Sequence, residues 1–273
     1  SITYASRIQR AILPSERVLN EQLPEHFIMF KPRDIVSGDF YWMTQKDGQT
    51  IIVAADCTGH GVPGAFMSLL GMSFLNEIVN RSERLKSDEI LNLLRAEIMS
   101  SLKQTGKEDE AKDGIDLALV IFDREHMKLQ YSGAYNPLML VRPLTEQERK
   151  KVREGADLGF PPRSIHDEDH VLIQINADKM PIGISAKELN PFTFHELDIK
   201  KGYSIYLSSD GYVDQFGGMD GKKFMSRGFK KMILDIQDQP IKKQGQLLSE
   251  RFDEWRGDLP QVDDILVIGI RFD

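Results

Sequence analysis

The chain has 273 residues, 41% of them hydrophobic and 28% charged, enough for one sizeable core in a single globular domain. A net charge of −7 with scattered basic residues argues against a nucleic-acid surface, and the one cysteine, Cys57, excludes a disulfide framework or thiolate zinc cluster and points to a reducing, cytoplasmic setting. No apolar run approaches the roughly 20 residues of a membrane span, so direct membrane insertion is not expected.

The chain starts abruptly at Ser1-Ile2-Thr3, which suggests a piece of a longer, sensor-linked or membrane-anchored protein. Within residues 1–24, Ile8, Ile12 and Leu13 followed by Pro14 predict a short amphipathic lead-in helix, set apart from a body at residues 25–273. A helix this short is unstable alone in water, so its apolar edge must pack on the body or on a second copy, which makes it a candidate regulatory element and a route to a homodimer.

Strand-like runs follow at Phe27–Phe30, Ile51–Ala55, Leu117–Phe122, Met127–Tyr131, Val171–Ile175, Ser204–Leu207 and Ile265–Ile270. Helical patterns from about Gly64 to Val79 and from about Asp88 to Leu102 lie between the second and third runs. A further pair, Ser226–Ile236 and Ile241–Trp255, flanks Pro240. Strands, a helix pair, strands and another helix pair predict an α+β domain with sheets covered by helices rather than βαβ units. The charged stretch Arg142–Asp169, with Gly155, Gly159 and Pro161-Pro162, reads as a long surface loop with one helical turn.

Four acidic sites stand beside glycine or at strand ends: Asp39, Asp56, Asp210 and the pair Asp263-Asp264. An ionised carboxylate at the end of a buried strand is costly unless it is paired or binds metal, so four such sites point to one shared cation cluster. Taken singly, each has a plain structural reading as a turn, cap or solvated strand start.

The motifs that carry these acids resemble those of a known family. They are Ile8-Gln9 through Leu13-Pro14, Val36-Ser37-Gly38-Asp39-Phe40-Tyr41, Ala55-Asp56-Cys57-Thr58-Gly59-His60-Gly61-Val62-Pro63-Gly64, Gly133-Ala134-Tyr135-Asn136-Pro137, Met180-Pro181-Ile182-Gly183, Ser208-Ser209-Asp210-Gly211 and Asp263-Asp264-Ile265. In this order they resemble the bacterial stage II sporulation protein E type branch of the metal-dependent protein phosphatases, related to the type 2C enzymes. The resemblance implies an αββα sandwich of two antiparallel sheets flanked by helix pairs, with two divalent cations, Mn²⁺ or Mg²⁺, at one end. It implies Asp56 as the carboxylate shared by both cations, the backbone carbonyl of Cys57 as a neighbouring ligand, Asp210 as a further ligand, and Asp39 as an acid acting directly or through water. Asp263 aligns better with the family's last ligand than Asp264, although one residue of slip exchanges them. The implied activity is hydrolysis of phosphoserine or phosphothreonine on a phosphorylated regulatory protein such as an anti-sigma-factor antagonist.

The residues agree with that chemistry, because hard divalent cations take oxygen ligands and can supply an activated water near neutral pH. A cysteine phosphatase would need arginine six residues after its nucleophile, where this chain has Pro63. Arg33 is a candidate phosphate clamp, since a guanidinium matches two phosphoryl oxygens. His60 reads as turn geometry sooner than as a general acid. His166-Asp167-Glu168-Asp169-His170 reads as a solvated charge run. A slow signalling module and a hydrolase of small phosphate esters are the competing functions.

Overall fold

The computed structural model describes residues 2–83, 86–105, 112–185 and 190–273. Two helices, α1 (Ile2–Ile12) and α2 (Glu16–Gln22), lead into β1 (Glu25–Lys31), β2 (Phe40–Lys46) and β3 (Gln49–Cys57). A helix pair, α3 (Gly61–Arg81) and α4 (Ser87–Ser101), precedes β4 (Gly114–Asp123), β5 (Lys128–Ala134) and β6 (Leu138–Pro143). Next come α5 (Glu146–Arg153), β7 (Ile165–His166), β8 (His170–Ile175), β9 (Ile182–Gly183), β10 (His195–Asp198) and β11 (Ser204–Ser208). The single turn α6 (Gly211–Asp214), the short strands β12 (Phe216–Gly217) and β13 (Lys222–Lys223), the pair α7 (Ser226–Asp235) and α8 (Ile241–Arg256), and β14 (Ile265–Arg271) complete the chain.

One sheet has the order β1-β14-β11-β6-β8-β7 and the other β10-β5-β4-β3-β2, with β9 added to β4, and all of these pairs are antiparallel. The two-residue period of a strand builds the layers. On β3, Ile52 and Ala54 face the other sheet, while Ile51, Val53 and Ala55 turn out against α3 and α4. On β14, Leu266, Ile268 and Ile270 face inward and Ile265 and Val267 pack beneath α7 and α8. The result is the expected αββα sandwich, with three apolar layers between four layers of structure.

Several elements depart from the sequence reading. β2 and β6 are strands that it did not separate from the motifs beside them, and α3 begins at Gly61 rather than Gly64. At 21 residues α3 is long and apolar enough to cross a membrane, contrary to the expectation that no run is. Its Met67, Met72, Leu75 and Ile78 are nonetheless committed to the core beneath the sheet. The stretch Arg142–Asp169 is more ordered than a loop. Thr145 and Glu148 form a reciprocal cap that starts α5, and Arg142 grips Glu148 through two bonds of 2.7 and 2.8 Å. That grip holds the Glu148 carboxyl down at about 2. Asp167 accepts bonds from the backbone N–H of Asp169 and His170, so the histidine-flanked acidic run is the turn between β7 and β8.

The lead-in consists of two helices. The second, α2, sets Leu19 in the layer between the sheets, and Leu23 follows it there. On α1 the buried face carries Ser6 and Gln9, while Tyr4, Ile8 and Ile12, spaced four apart on another face, stay exposed. The Gln9 amide donates to the Ser37 carbonyl (2.6 Å) and the Ser68 hydroxyl (2.9 Å), and its oxygen accepts the Ser37 N–H (3.0 Å). The contact to the body is thus made by polar Gln9 and by Leu13 just after the helix, which packs against the core under α3, while Ile8 and Ile12 of the predicted apolar edge face away.

Replacing Gln9 with Ala strands the buried Ser37 N–H and carbonyl. Thermal unfolding should show a loss of roughly 1–3 kcal/mol. Ile12→Glu, by contrast, should leave the melting temperature in place and change self-association or basal activity. An Ile12→Glu protein unchanged in sedimentation and activity argues against a signalling role for the exposed edge.

Candidate active site

The acids meet at one open end of the sandwich, between the sheets. Asp56 and Asp116 are directly paired across β3 and β4, on the same face as the inward residues Ala54 and Ala118. Asp210 follows β11 and Asp263 precedes β14, so the facing sheet contributes these two. Asp39 stands at the start of β2 and is almost fully buried. Two glycines let the supporting loops close. A Cβ on Gly64 would stand 2.3 Å from the Gly59 carbonyl and 2.9 Å from the Gly38 Cα. A Cβ on Gly211 would stand 1.9 Å from the Asp264 carbonyl, so only glycine lets α6 lie on the start of β14 with Asp210 beside Asp263.

Asp264 has a different job from Asp263. Its two carboxylate oxygens accept the backbone N–H of Arg33 (2.7 Å) and of Gly38 (2.7 Å), which ties down both ends of the loop leading to Asp39. Asp263 accepts only the N–H of Asp264 among the side-chain bonds of the described residues, and its charge is felt by Asp39, Asp56 and Asp210. Ser209 joins the parts: its backbone N–H and hydroxyl bond Leu266 on β14 (3.0 and 2.9 Å), and it hydrogen-bonds Asp39.

Electrostatics mark this cluster as short of positive charge. Burial, then Asp39 and Asp210, pushes the Asp56 carboxyl up to about 10. Burial, then Asp210, pushes Asp116 up to about 7. Asp39 is driven well up by burial despite its bond to Ser209, and Asp210, though open to solvent on one side, is raised by desolvation and by Asp263. The Asp56 and Asp210 carboxyls stand close enough to share a proton.

A divalent cation can replace that proton, and the donor set fits one: it is all oxygen, and Asp39 Oδ2 is buried without a hydrogen-bond partner among the described residues. No three acidic, imidazole or thiol groups among the described residues gather on one point, so each cation would take carbonyls and waters beside its carboxylates. The Cys57 carbonyl faces the Gly38 loop and is available for this, whereas burial and Asp56 push the Cys57 thiol up, away from thiolate chemistry.

Asp116 is the member of the cluster that the sequence reading missed, because it sits one residue ahead of the apolar run taken as a strand. The usable signal was the antiparallel register opposite Asp56. Arg33 is exposed at the rim, where its guanidinium donates to the Val262 carbonyl (3.0 Å); burial raises the Asp263 carboxyl, and the Arg33 charge opposes that rise only weakly. His60 is also exposed and pairs with Asp34 through Nδ1 at 3.0 Å.

The pKa shifts carry a sign that can be tested. A carboxyl raised in the fold stabilises the protein below its ordinary value of 3.8, and that stability is lost as pH climbs through the folded value. Without cations, the melting temperature should therefore fall from pH 5 to pH 9, first through Asp116 and then through Asp56. Mn²⁺ or Mg²⁺ should reverse most of the fall. Thermal scans with chelator and with metal would refute this if the metal-free curve were flat or rose with pH.

Comparison with known proteins agrees with this architecture. The family model for stage II sporulation protein E (SpoIIE) matches residues 46–165 and 159–273. The chain belongs to this family. Among solved structures, the SiaA-PP2C domain of Pseudomonas aeruginosa is 31% identical, with a TM-score of 0.80 over 100% of this chain and 96% of that one. The PP2C phosphatase domain of SpoIIE from Bacillus subtilis, solved with a fragment of its regulatory domain, has the same fold at 16% identity and a TM-score of 0.65, over 91% of this chain and 63% of that one. The RsbU and RsbW domains of Rv1364c from Mycobacterium tuberculosis give 16% identity and a TM-score of 0.62, over 91% and 60%. A search of curated sequences finds no match. This SpoIIE-family chain is a phosphatase domain of the PP2C class, a class of metal-dependent protein phosphatases.

Proposed function

We propose that the chain removes phosphate from phosphoserine or phosphothreonine on a regulatory protein, with two Mn²⁺ or Mg²⁺ ions held by Asp39, Asp56, Asp210, Asp263 and the Cys57 carbonyl. The observation that carries this reading is the convergence of carboxylates from both sheets with a buried, unpartnered Asp39 oxygen among them. When bound, such cations supply an activated water and neutralise charge on the phosphoryl oxygens.

The protein's own residues do the rest. Asp264 and Ser209 hold Asp39 in place, Gly211 seats Asp210 beside Asp263, and Asp116 adds negative charge next to Asp56. Arg33, fixed through the Val262 carbonyl at the rim, is positioned to meet a phosphoryl oxygen. The family and the similarity to RsbU domains favour a phosphorylated anti-sigma-factor antagonist as substrate. The exposed edge of Tyr4, Ile8 and Ile12 favours pairing of α1 with a second copy.

Phosphate release from phosphoseryl and phosphothreonyl peptides, measured with Mn²⁺, with Mg²⁺ and with chelator, tests the reading. Cation-dependent release from the peptides and little from nucleotides is the expected result. Release that survives chelation, or turnover of nucleotides alone, overturns it.

A further inference from the structure

A groove of about 850 Å³ runs away from Asp210 between β8 and the start of α7. Its floor is apolar, with Met139, Val213 and Phe229, and its rim carries Arg163, Lys179 and Arg227, all exposed. Among the described residues lining it, Asp210 is the sole acid, although the whole chain has a net charge of −7. None of the three rim cations has an ion pair among the described residues.

The groove is built, and two details show how. The buried Lys230 on α7 donates to the Arg163 carbonyl at 2.8 Å, which ties the segment before β7 to the helix and fixes where Arg163 emerges. Asn136, also in the lining, is nearly fully buried, and its Nδ2 makes no hydrogen bond among the described residues. A buried amide donor without an acceptor is costly, and an incoming carbonyl would satisfy it.

From this arrangement we infer that the groove binds the polypeptide flanking the phosphorylated residue and selects segments that carry acidic side chains there. Continuity with Asp210 places any chain lying in it within reach of the candidate metal cluster. The apolar floor suits a peptide backbone and its aliphatic side chains, Asn136 offers a donor to a main-chain carbonyl, and three unpaired cations complement carboxylates. Arg163 belongs to the charged stretch between β6 and β8, so that stretch acts in substrate choice. The inference rests on the phosphatase reading above and narrows its substrate class.

The test uses the full chain with Mn²⁺ and synthetic phosphoserine peptides that differ only in flanking residues, acidic in one and basic in the other, with p-nitrophenyl phosphate as a small control. The wild type should favour the acidic peptide by at least about tenfold in kcat/KM, mainly through KM, and added salt should shrink the preference. In Arg227→Glu the ratio should fall about tenfold towards the basic peptide. That variant is safe for folding, since an acid in the first turn of α7 suits the helix dipole. Lys179→Glu should act in the same direction, and Lys242→Glu on α8, outside the groove, should leave the ratio alone.

Equal turnover of both peptides by the wild type, or ratios unmoved in Arg227→Glu and Lys179→Glu, overturns the inference while cation-dependent hydrolysis of the control leaves the phosphatase reading standing. No turnover of either peptide or of the control overturns both.

Discussion

Asp56→Asn and Asp210→Asn are each expected to lower turnover by about a thousandfold or more while the protein stays folded. Each change removes a proposed anionic ligand from a cluster whose charge would set its affinity for divalent cations. The stability effect has the opposite sign. In cation-free protein at neutral pH, burial and the neighbouring acids push Asp56 up to about 10, so folding must protonate it; a neutral amide escapes that cost, and Asp56→Asn should melt at or above the wild-type temperature in chelator and gain little from Mn²⁺. Calorimetric titration with Mn²⁺ beside the thermal scan separates the two effects. Near-normal turnover in either variant at saturating Mn²⁺ would sink the dinuclear proposal. Cys57→Ala should keep most activity, because only its backbone carbonyl is proposed to take part, and a total loss in a folded protein would revive a thiolate mechanism.

The neighbouring pair Asp263-Asp264 should divide into two distinct phenotypes. Removing the Asp264 carboxylate in Asp264→Ala deprives the N–H groups of Arg33 and Gly38 of their acceptors, and bonds to a charged acceptor contribute about 1.5–3 kcal/mol each. A loss of roughly 3 kcal/mol is expected, with reduced cation affinity as a consequence, since the freed loop carries Asp39. Asp263→Asn should instead lose cation affinity with little change in melting temperature in chelator. Denaturant unfolding and Mn²⁺ titration of both variants check the division. If Asp264→Ala melts like the wild type, the loop is held by something else.

The adjacency of Asp56, Asp210 and Asp263 to β-branched runs and glycines made the cluster readable from sequence, because a buried strand that ends in a carboxylate demands an explanation. The resemblance to a known family supplied the ligand roles. Asp116 was hidden, since one acid at the lip of an apolar run looks like an ordinary strand boundary until the register sets it opposite Asp56. The roles of Asp263 and Asp264 were equally hidden, because sequence adjacency says nothing about which carboxylate meets backbone N–H groups. Gln9 escaped notice as the contact residue: the periodicity argument weighs apolar positions, and on α1 the polar position docks while Ile8 and Ile12 face outward. The helix after Thr145 was announced by its capping pair, a signal that the glycines and prolines downstream overshadowed.

The division of the acids between the sheets has a consequence for the order of assembly. Asp56 and Asp116 come from strands that the helix pair α3 and α4 separates in the chain, and Asp210 and Asp263 lie further along, on two strands of the facing sheet that are also distant in sequence, so every pairing that gathers the acids is non-local. Neither half holds the complete set. An intermediate that has formed both sheets but not yet brought them face to face therefore has nothing with which to grip a cation tightly. High-affinity metal capture becomes possible only when the last large interface closes, and from then on it acts as a latch that slows the sheets from parting again.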